Sequence, residues 1–273
     1  MPYFLSAFAD EISPDIQIQM DHLLENGIQF CAMRGANGKN VMEFEDFQIK
    51  LMKQQFHNRG IRFTCIGSPV GKTLVTDPLD FEVKRLRRAI EIARGFETKV
   101  VRIFSFYIPK GEDPAKHKDE VFRRMKELCN IAKEEGINIL VENEKGLYGD
   151  TGPRHAEVIE AVGMPHVKGA FDFSNFVQID DDPWAAWQLS KKYIVDIHIK
   201  DAKKDTKKEC PAGEGDGRVK DILRDAFASG WKGFLTFEPH LSDSQEFKGF
   251  TGPKLFKVAV DTLKNVLVEV GAK

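Results

Sequence analysis

The chain has 273 residues, long for one ordinary domain but within the range over which an α/β barrel folds as one unit. Hydrophobic residues make up 42% and charged residues 30%, enough to bury a large core without disulfides or structural zinc. With 40 Lys+Arg against 42 Asp+Glu there is no global field to attract nucleic acid or an anionic membrane.

The N-terminus, Met1-Pro-Tyr-Phe-Leu-Ser, has no basic segment, and no window approaches 18 apolar residues. Neither a signal peptide nor a membrane span is expected. Cys31, Cys65, Cys129 and Cys210 are scattered, without a C-x-x-C pair, and read as buried thiols of a reducing, cytoplasmic compartment.

Taken in chain order, eight short apolar runs read as strands, near 4–8, 28–33, 61–66, 99–104, 137–142, 167–172, 194–199 and 234–238. Each is followed by a helical segment. Helical stretches close on Gly27, Gly60, Gly136, Gly163 and Gly230, and a strand follows within a few residues. Glycine just past a helix accepts the left-handed conformation that ends it. Over 113–135, Val121, Met125, Leu128 and Ala132 form an apolar stripe widened by Phe122 and Cys129, behind an Asp113-Pro114 start signal. A last helix over roughly 253–269 repeats the pattern with Leu255, Ala259, Leu263, Val266 and Leu267. Eight alternations without a Pro/Ser-rich linker predict a closed (β/α)8 TIM barrel, one domain over 1–273. A doubly wound sheet would show G-x-G-x-x-G after an early strand, and that motif is absent.

Such barrels place chemistry at the C-terminal ends of their strands. Strand five ends in Val141-Glu142-Asn143-Glu144 and strand six in Phe171-Asp172-Phe173-Ser174-Asn175. Strand seven ends in His198-Ile199-Lys200-Asp201 and strand eight in Phe237-Glu238-Pro239-His240. Alternation turns Val141, Phe171, Ile197 and Phe237 toward the helices, so Glu142, Asp172, His198 and Glu238 face the axis. A lone carboxylate at a strand end is ordinarily a solvated loop residue or a helix cap. Three carboxylates and a histidine on four adjacent strands instead predict one divalent ion, Mn²⁺, Mg²⁺, Co²⁺ or Zn²⁺.

The order Glu, Asp, His, Glu, with gaps of 30, 26 and 40 residues, resembles the xylose isomerase-like barrels over essentially the whole chain. That superfamily includes inosose isomerase, ketose 3-epimerases, hydroxypyruvate isomerase and endonuclease IV. Ser68-Pro69-Val70-Gly71-Lys72 and Gly213-Glu214-Gly215-Asp216 also look like loops of its sugar-isomerase branch. The resemblance implies that Glu142 and Glu238 are both ligands and the acid/base pair, with Asp172 and His198 holding the ion. It implies a metal-dependent isomerase or epimerase of a sugar, keto-sugar or inosose, which removes a proton beside a carbonyl. A dehydratase or lyase of a keto-polyol would begin with the same step. A non-catalytic carbohydrate-binding barrel is the reading from a different class. The trinuclear endonuclease pattern is not met, because Asn175 stands where a further histidine would and the D-x-H after strand seven is missing.

Arg34, Lys72, Arg102, Lys145, Lys200 and His240 lie at or past strand ends, and all but Lys145 are taken as substrate contacts. A rim salt bridge for Lys200 and a loop-holding role for His240 are equally open. Asn143 is placed as a loop steadier and Asp196 one layer below His198. Phe4, Phe8, Phe104, Phe106, Phe171 and Phe173 are expected as core or apolar wall. Trp184 and Trp187 are expected to pack, and Lys203–Lys208, with no interleaved aromatics, to be a solvated loop. The expected partner is a small sugar or polyol, with no nucleic acid and no membrane; homo-oligomer formation is left open.

Overall fold

The computed structural model describes residues 3–241 and 251–272. Eight parallel strands close into a barrel: β1 (Tyr3–Phe8), β2 (Phe30–Met33), β3 (Arg62–Gly67), β4 (Val100–Ile103), β5 (Asn138–Glu142), β6 (Val167–Asp172), β7 (Ile194–Ile199) and β8 (Gly233–Phe237). Each strand pairs with its neighbours in sequence, and β8 returns to β1. Helices α1 (Ile16–Glu25), α2 (Asp46–Asn58), α3 (Asp80–Gly95), α4 (Lys118–Glu134), α5 (Gly152–Val162), α6 (Phe173–Gln178), α7 (Pro183–Ser190), α8 (Val219–Ala228) and α9 (Pro253–Glu269) supply the outer layer. The five glycines expected to stop helices all have positive φ, between 64° for Gly163 and 77° for Gly60 and Gly230.

Two differences from the sequence reading have local causes. The Asp113 carboxylate accepts from the Ala115 amide at 2.9 Å and starts a 3-10 turn, Pro114–His117, so α4 itself begins only at Lys118. In α9, Leu255 is only half-buried, and Phe256 and Val260 take the inward places of the first turns. Trp187 is fully buried, meets Phe171 edge-on at 5.6 Å and donates to Asp225 at 2.7 Å, a packing role as expected. Lys203–Lys208 forms a turn closed by the Lys203 amide on the Lys208 carbonyl at 2.9 Å. Among the described residues, no helix is long and apolar enough to cross a membrane.

The core has two compartments. Val141, Phe171, Ile197 and Phe237 are fully buried between sheet and helices, while Phe8, Ala32, Cys65, Leu140 and Ala170 fill the barrel interior. Polar groups below the C-terminal rim include two pairs, Ser6 with Thr64 at 3.2 Å and Thr236 with Asp196 at 2.7 Å.

The loop after β3 is tied down by backbone contacts. Gly71 has φ +85°, its amide donates to buried Glu82 at 2.8 Å, and a Cβ there would overlap the Phe104 carbonyl. Gly71→Ala is therefore expected to cost at least about 2 kcal/mol, combining left-handed strain with a backbone clash. Urea unfolding measures it; a loss below about 0.5 kcal/mol would mean the loop has another conformation.

Candidate metal centre

Strand register sets which side chains meet on the axis. Glu142 lies opposite Ala170, Asp172 opposite His198, and His198 opposite Thr236. Residues two apart share a face, so Glu142, Asp172, His198 and Glu238 all point inward at the C-terminal end. All four are buried, and each offers one ligand atom within 4.8 Å of the others. Four ligands at about 2.0–2.2 Å from one ion lie at most about 4.4 Å apart, so a small contraction completes a coordination shell. Asp172 Oδ2 is buried with no hydrogen-bond partner among the described residues, and Glu238 Oε2 faces His198 Nδ1 at 3.2 Å, so both carboxylate oxygens are turned into the cluster where a cation would sit. The residues fit a divalent ion.

Asp172 also caps a helix. Its Oδ1 accepts from the Asn175 amide at 3.0 Å at the start of α6, which leaves Oδ2 directed at the cluster, 3.5 Å from Lys200. Asn143 steadies this corner: its side chain exchanges two bonds with the Asp172 backbone, at 2.9 and 2.8 Å, extending the β5–β6 ladder past its last strand residue. Asn175 donates to the Asn143 carbonyl at 2.9 Å.

Each glutamate has its own arginine. Arg102 donates to Glu142 from β4. Arg34, past β2, donates to Glu238 at 2.5 Å while also holding Asp10 at 2.8 Å and Glu11 at 2.7 Å. Burial would raise Glu142, but Arg102 and His198 outweigh it and hold its carboxyl at about 2. Burial likewise opposes ionisation of Glu238, yet Lys200, His198 and Arg34 keep it well below the usual range. Asp172, for which burial dominates over Lys200, is pushed up to about 7. One layer down, burial lifts Asp196 to about 6 against the pull of His198 and Thr236.

His198 sits with Nδ1 3.1 Å from Glu142 and 3.2 Å from Glu238. Burial favours its neutral form, but the two carboxylates raise its pKa well above the ordinary value. Without an ion, the imidazolium joins Arg34, Arg102 and Lys200 in compensating the carboxylates. An imidazolium cannot ligate, so ion binding at neutral pH must expel its proton. Titrating the ion-free protein at pH 7 with Mn²⁺ or Zn²⁺ in weak buffer is expected to release at least one proton per ion, one from His198 and a further fraction from Asp172, and affinity should weaken as pH falls. Binding with no proton release would place the ion elsewhere.

Above the cluster lies a cavity of about 360 Å³, and Arg34, Lys72, Arg102, Lys145, Lys200 and His240 all line it. Lys200 takes the rim salt bridge with Asp172. Lys72 pairs with Glu144 at 2.7 Å, and Lys145 donates to Gln178 at 2.7 Å. His240 does both things considered for it, lining the cavity and lying 2.9 Å from Glu11. Phe8 is fully buried beside the cluster, edge-on to His198 at 5.2 Å, and Phe104 is a wall of the cavity. Phe106, Phe171 and Phe173 are core, and Phe4 is 57% exposed at the opposite end of the barrel.

Asp10 and Glu11 are absent from the sequence-level candidates. They follow β1 in the 3-10 turn Ala9–Glu11, and fully buried Glu11 accepts from the His240 amide and the Thr251 hydroxyl at 3.2 and 2.8 Å. Scanning the end of strand one as closely as those of strands five to eight would have found them.

Comparison with known proteins agrees with this architecture. A 3-dehydroshikimate dehydratase of Bacillus anthracis is 21% identical over 178 residues, 64% of this chain; the match spans 62% of that relative's length. Among solved structures, an IOLI protein with a bound zinc atom superposes with a TM-score of 0.79 at 15% identity, covering 100% of both chains. A xylose isomerase-like barrel from Mycobacterium smegmatis in complex with magnesium gives 0.68 at 17% identity, with 97% of each chain covered. A D-psicose 3-epimerase with D-tagatose, from Clostridium cellulolyticum H10, gives 0.72 at 14% identity over 99% of this chain and 98% of its own. At these identities the structures establish a shared fold. Residues 20–266 match the family described as xylose isomerase-like TIM barrel, and the chain belongs to that family.

Proposed function

We propose that this protein is a divalent-metal-dependent isomerase or epimerase of a sugar, keto-sugar or inosose that moves a proton on the carbon beside a carbonyl. The observation that carries this reading is the pair Glu142 and Glu238, which approach one histidine from separate strands, each paired with its own arginine. A bound divalent ion supplies Lewis acidity toward a carbonyl and its neighbouring hydroxyl. The chain's own residues divide the remaining work. One glutamate removes the proton; the other returns a proton to the opposite face for epimerisation, or to the adjacent carbon for isomerisation. Asp172 and His198 hold the ion, Arg34 and Arg102 orient the glutamates, and Lys72, Lys200 and His240 contact substrate.

A second reading draws support from the match to a 3-dehydroshikimate dehydratase. Proton removal would then be followed by cleavage of a C–O bond, the hydroxyl leaving as water after protonation. Incubating the metal-loaded protein with D-tagatose, an inosose and 3-dehydroshikimate, with products identified by NMR, tests both readings. Epimers or isomers of the first two support the main reading. Dehydration alone supports the second, and binding without any product would make the barrel a carbohydrate-binding protein.

A further inference from the structure

The cavity is lined more heavily by cations than a neutral sugar needs. Sugar hydroxyls call for donors and acceptors in mixture; here five cations, Arg34, Lys72, Arg102, Lys145 and Lys200, face the space against three carboxylates, Glu144, Glu209 and Glu238, beside the amides of Asn40, Asn175 and Gln178. Arg34 is engaged with three carboxylates, Lys200 with Asp172 and Lys145 with Gln178. Arg102 differs. It is 5% exposed, its bond to Glu142 comes from Nη1, and its Nε is buried without a hydrogen-bond partner among the described residues. A buried guanidinium N–H left unpaired is costly and points to an acceptor that arrives with a ligand.

Lys72 stands on the same wall. Its ammonium and the Arg102 guanidinium each lie 4.3 Å from the centre of the Phe104 ring. Gly67, at the end of β3, keeps the floor beside them open: a Cβ there would come within 2.7 Å of Phe8 and 3.3 Å of Arg102 Nη2. The counter-charges on this wall are Glu144 for Lys72 and Glu142 for Arg102. When Glu142 serves as a metal ligand its charge is shared with the ion, and the wall is left about one positive charge in excess.

Building on the proton-transfer reading, we propose that Arg102 and Lys72 form a carboxylate subsite, so that the substrate is a keto-polyol acid rather than a neutral sugar. The side edge of a guanidinium offers two parallel N–H groups that match a planar carboxylate, and the single excess charge suits a monoanion. A phosphate carries about −1.5 to −2 and would call for more counter-charge.

Calorimetric titration of the Mn²⁺-loaded protein tests this without turnover, using shikimate, its uncharged methyl ester and glycerol 1-phosphate as probes. Shikimate is expected to bind at least about 10-fold more tightly than its ester, and more tightly than glycerol 1-phosphate. In Lys72→Met and Arg102→Gln the preference for acid over ester should fall below about threefold, whatever the change in ester affinity itself. Lys72→Met carries the test if Arg102→Gln fails to fold or to retain metal. Equal affinity for acid and ester, including no measurable binding of either, would overturn the proposal. So would a stronger response to glycerol 1-phosphate, or an acid preference that survives in Lys72→Met. A neutral ketose that exchanges its proton with solvent while no acid binds would overturn the carboxylate subsite and leave the proton-transfer reading standing.

Discussion

Glu238→Gln is expected to retain its divalent ion and lose turnover by about 10²-fold or more. The amide keeps one oxygen, which can stay with the ion, while its NH2 replaces the oxygen that accepts from Arg34 at 2.5 Å, so some loss of metal affinity is expected and kcat is compared at saturating ion. What disappears is a group able to take up and give back a proton. Glu142→Gln should behave in the same way, its single oxygen kept toward the ion while the NH2 replaces one of the two oxygens that now face Arg102 and His198. Asp172→Asn makes an informative contrast. Its Oδ1 caps α6 and Oδ2, 3.5 Å from Lys200, faces the cluster, so the loss there should fall mainly on metal affinity, and added ion should recover much of the activity. Metal content by mass spectrometry and kcat at saturating ion separate the cases. Turnover within threefold of wild type in Glu238→Gln would remove it from the chemistry.

Stripping the ion is expected to lower the melting temperature by roughly 5–10 °C, and Mn²⁺, Mg²⁺, Co²⁺ or Zn²⁺ should restore it. An ion at about 100 times its Kd stabilises by about 2.7 kcal/mol, and a domain of this size moves about 2–4 °C per kcal/mol. The ion joins four neighbouring strands, so its loss loosens the whole rim. Unfolding outright is not expected, because Arg34, Arg102, Lys200 and protonated His198 already compensate the carboxylates. Thermal denaturation with and without chelator makes the comparison. An unchanged midpoint across all four ions would count against the site.

Much of this architecture is legible in the sequence because barrel strands and their helices punctuate one another. A run such as Gly136-Ile137-Asn138-Ile139-Leu140-Val141-Glu142 carries a helix stop, a buried strand and a polar strand end in seven residues, and β5 lies within it. Period-two alternation then assigns inward and outward sides, which is why Glu142, Asp172, His198 and Glu238 were recognisable as one constellation. The rim contacts were harder to read. Which carboxylate Arg34 reaches depends on Asp10 and Glu11, brought in by a three-residue turn with no motif, and on the space that Gly67 leaves beside Phe8. Arg102 contacting Glu142 is a matter of barrel register between β4 and β5, which no local pattern encodes. The dual use of Asp172, one oxygen on a helix and one toward the cluster, likewise needs coordinates.

Solvent exchange tests the central claim, proton transfer by Glu142 and Glu238, most directly. The metal-loaded protein is placed in D₂O with an accepted keto-polyol, and deuterium on the carbon beside the carbonyl is followed by NMR. Wild type should incorporate deuterium there in a metal-dependent manner, and Glu142→Gln and Glu238→Gln should both exchange at least about 10²-fold more slowly. If both variants exchange at the wild-type rate, these glutamates are not the proton-transfer pair, and the barrel applies its metal cluster to different chemistry.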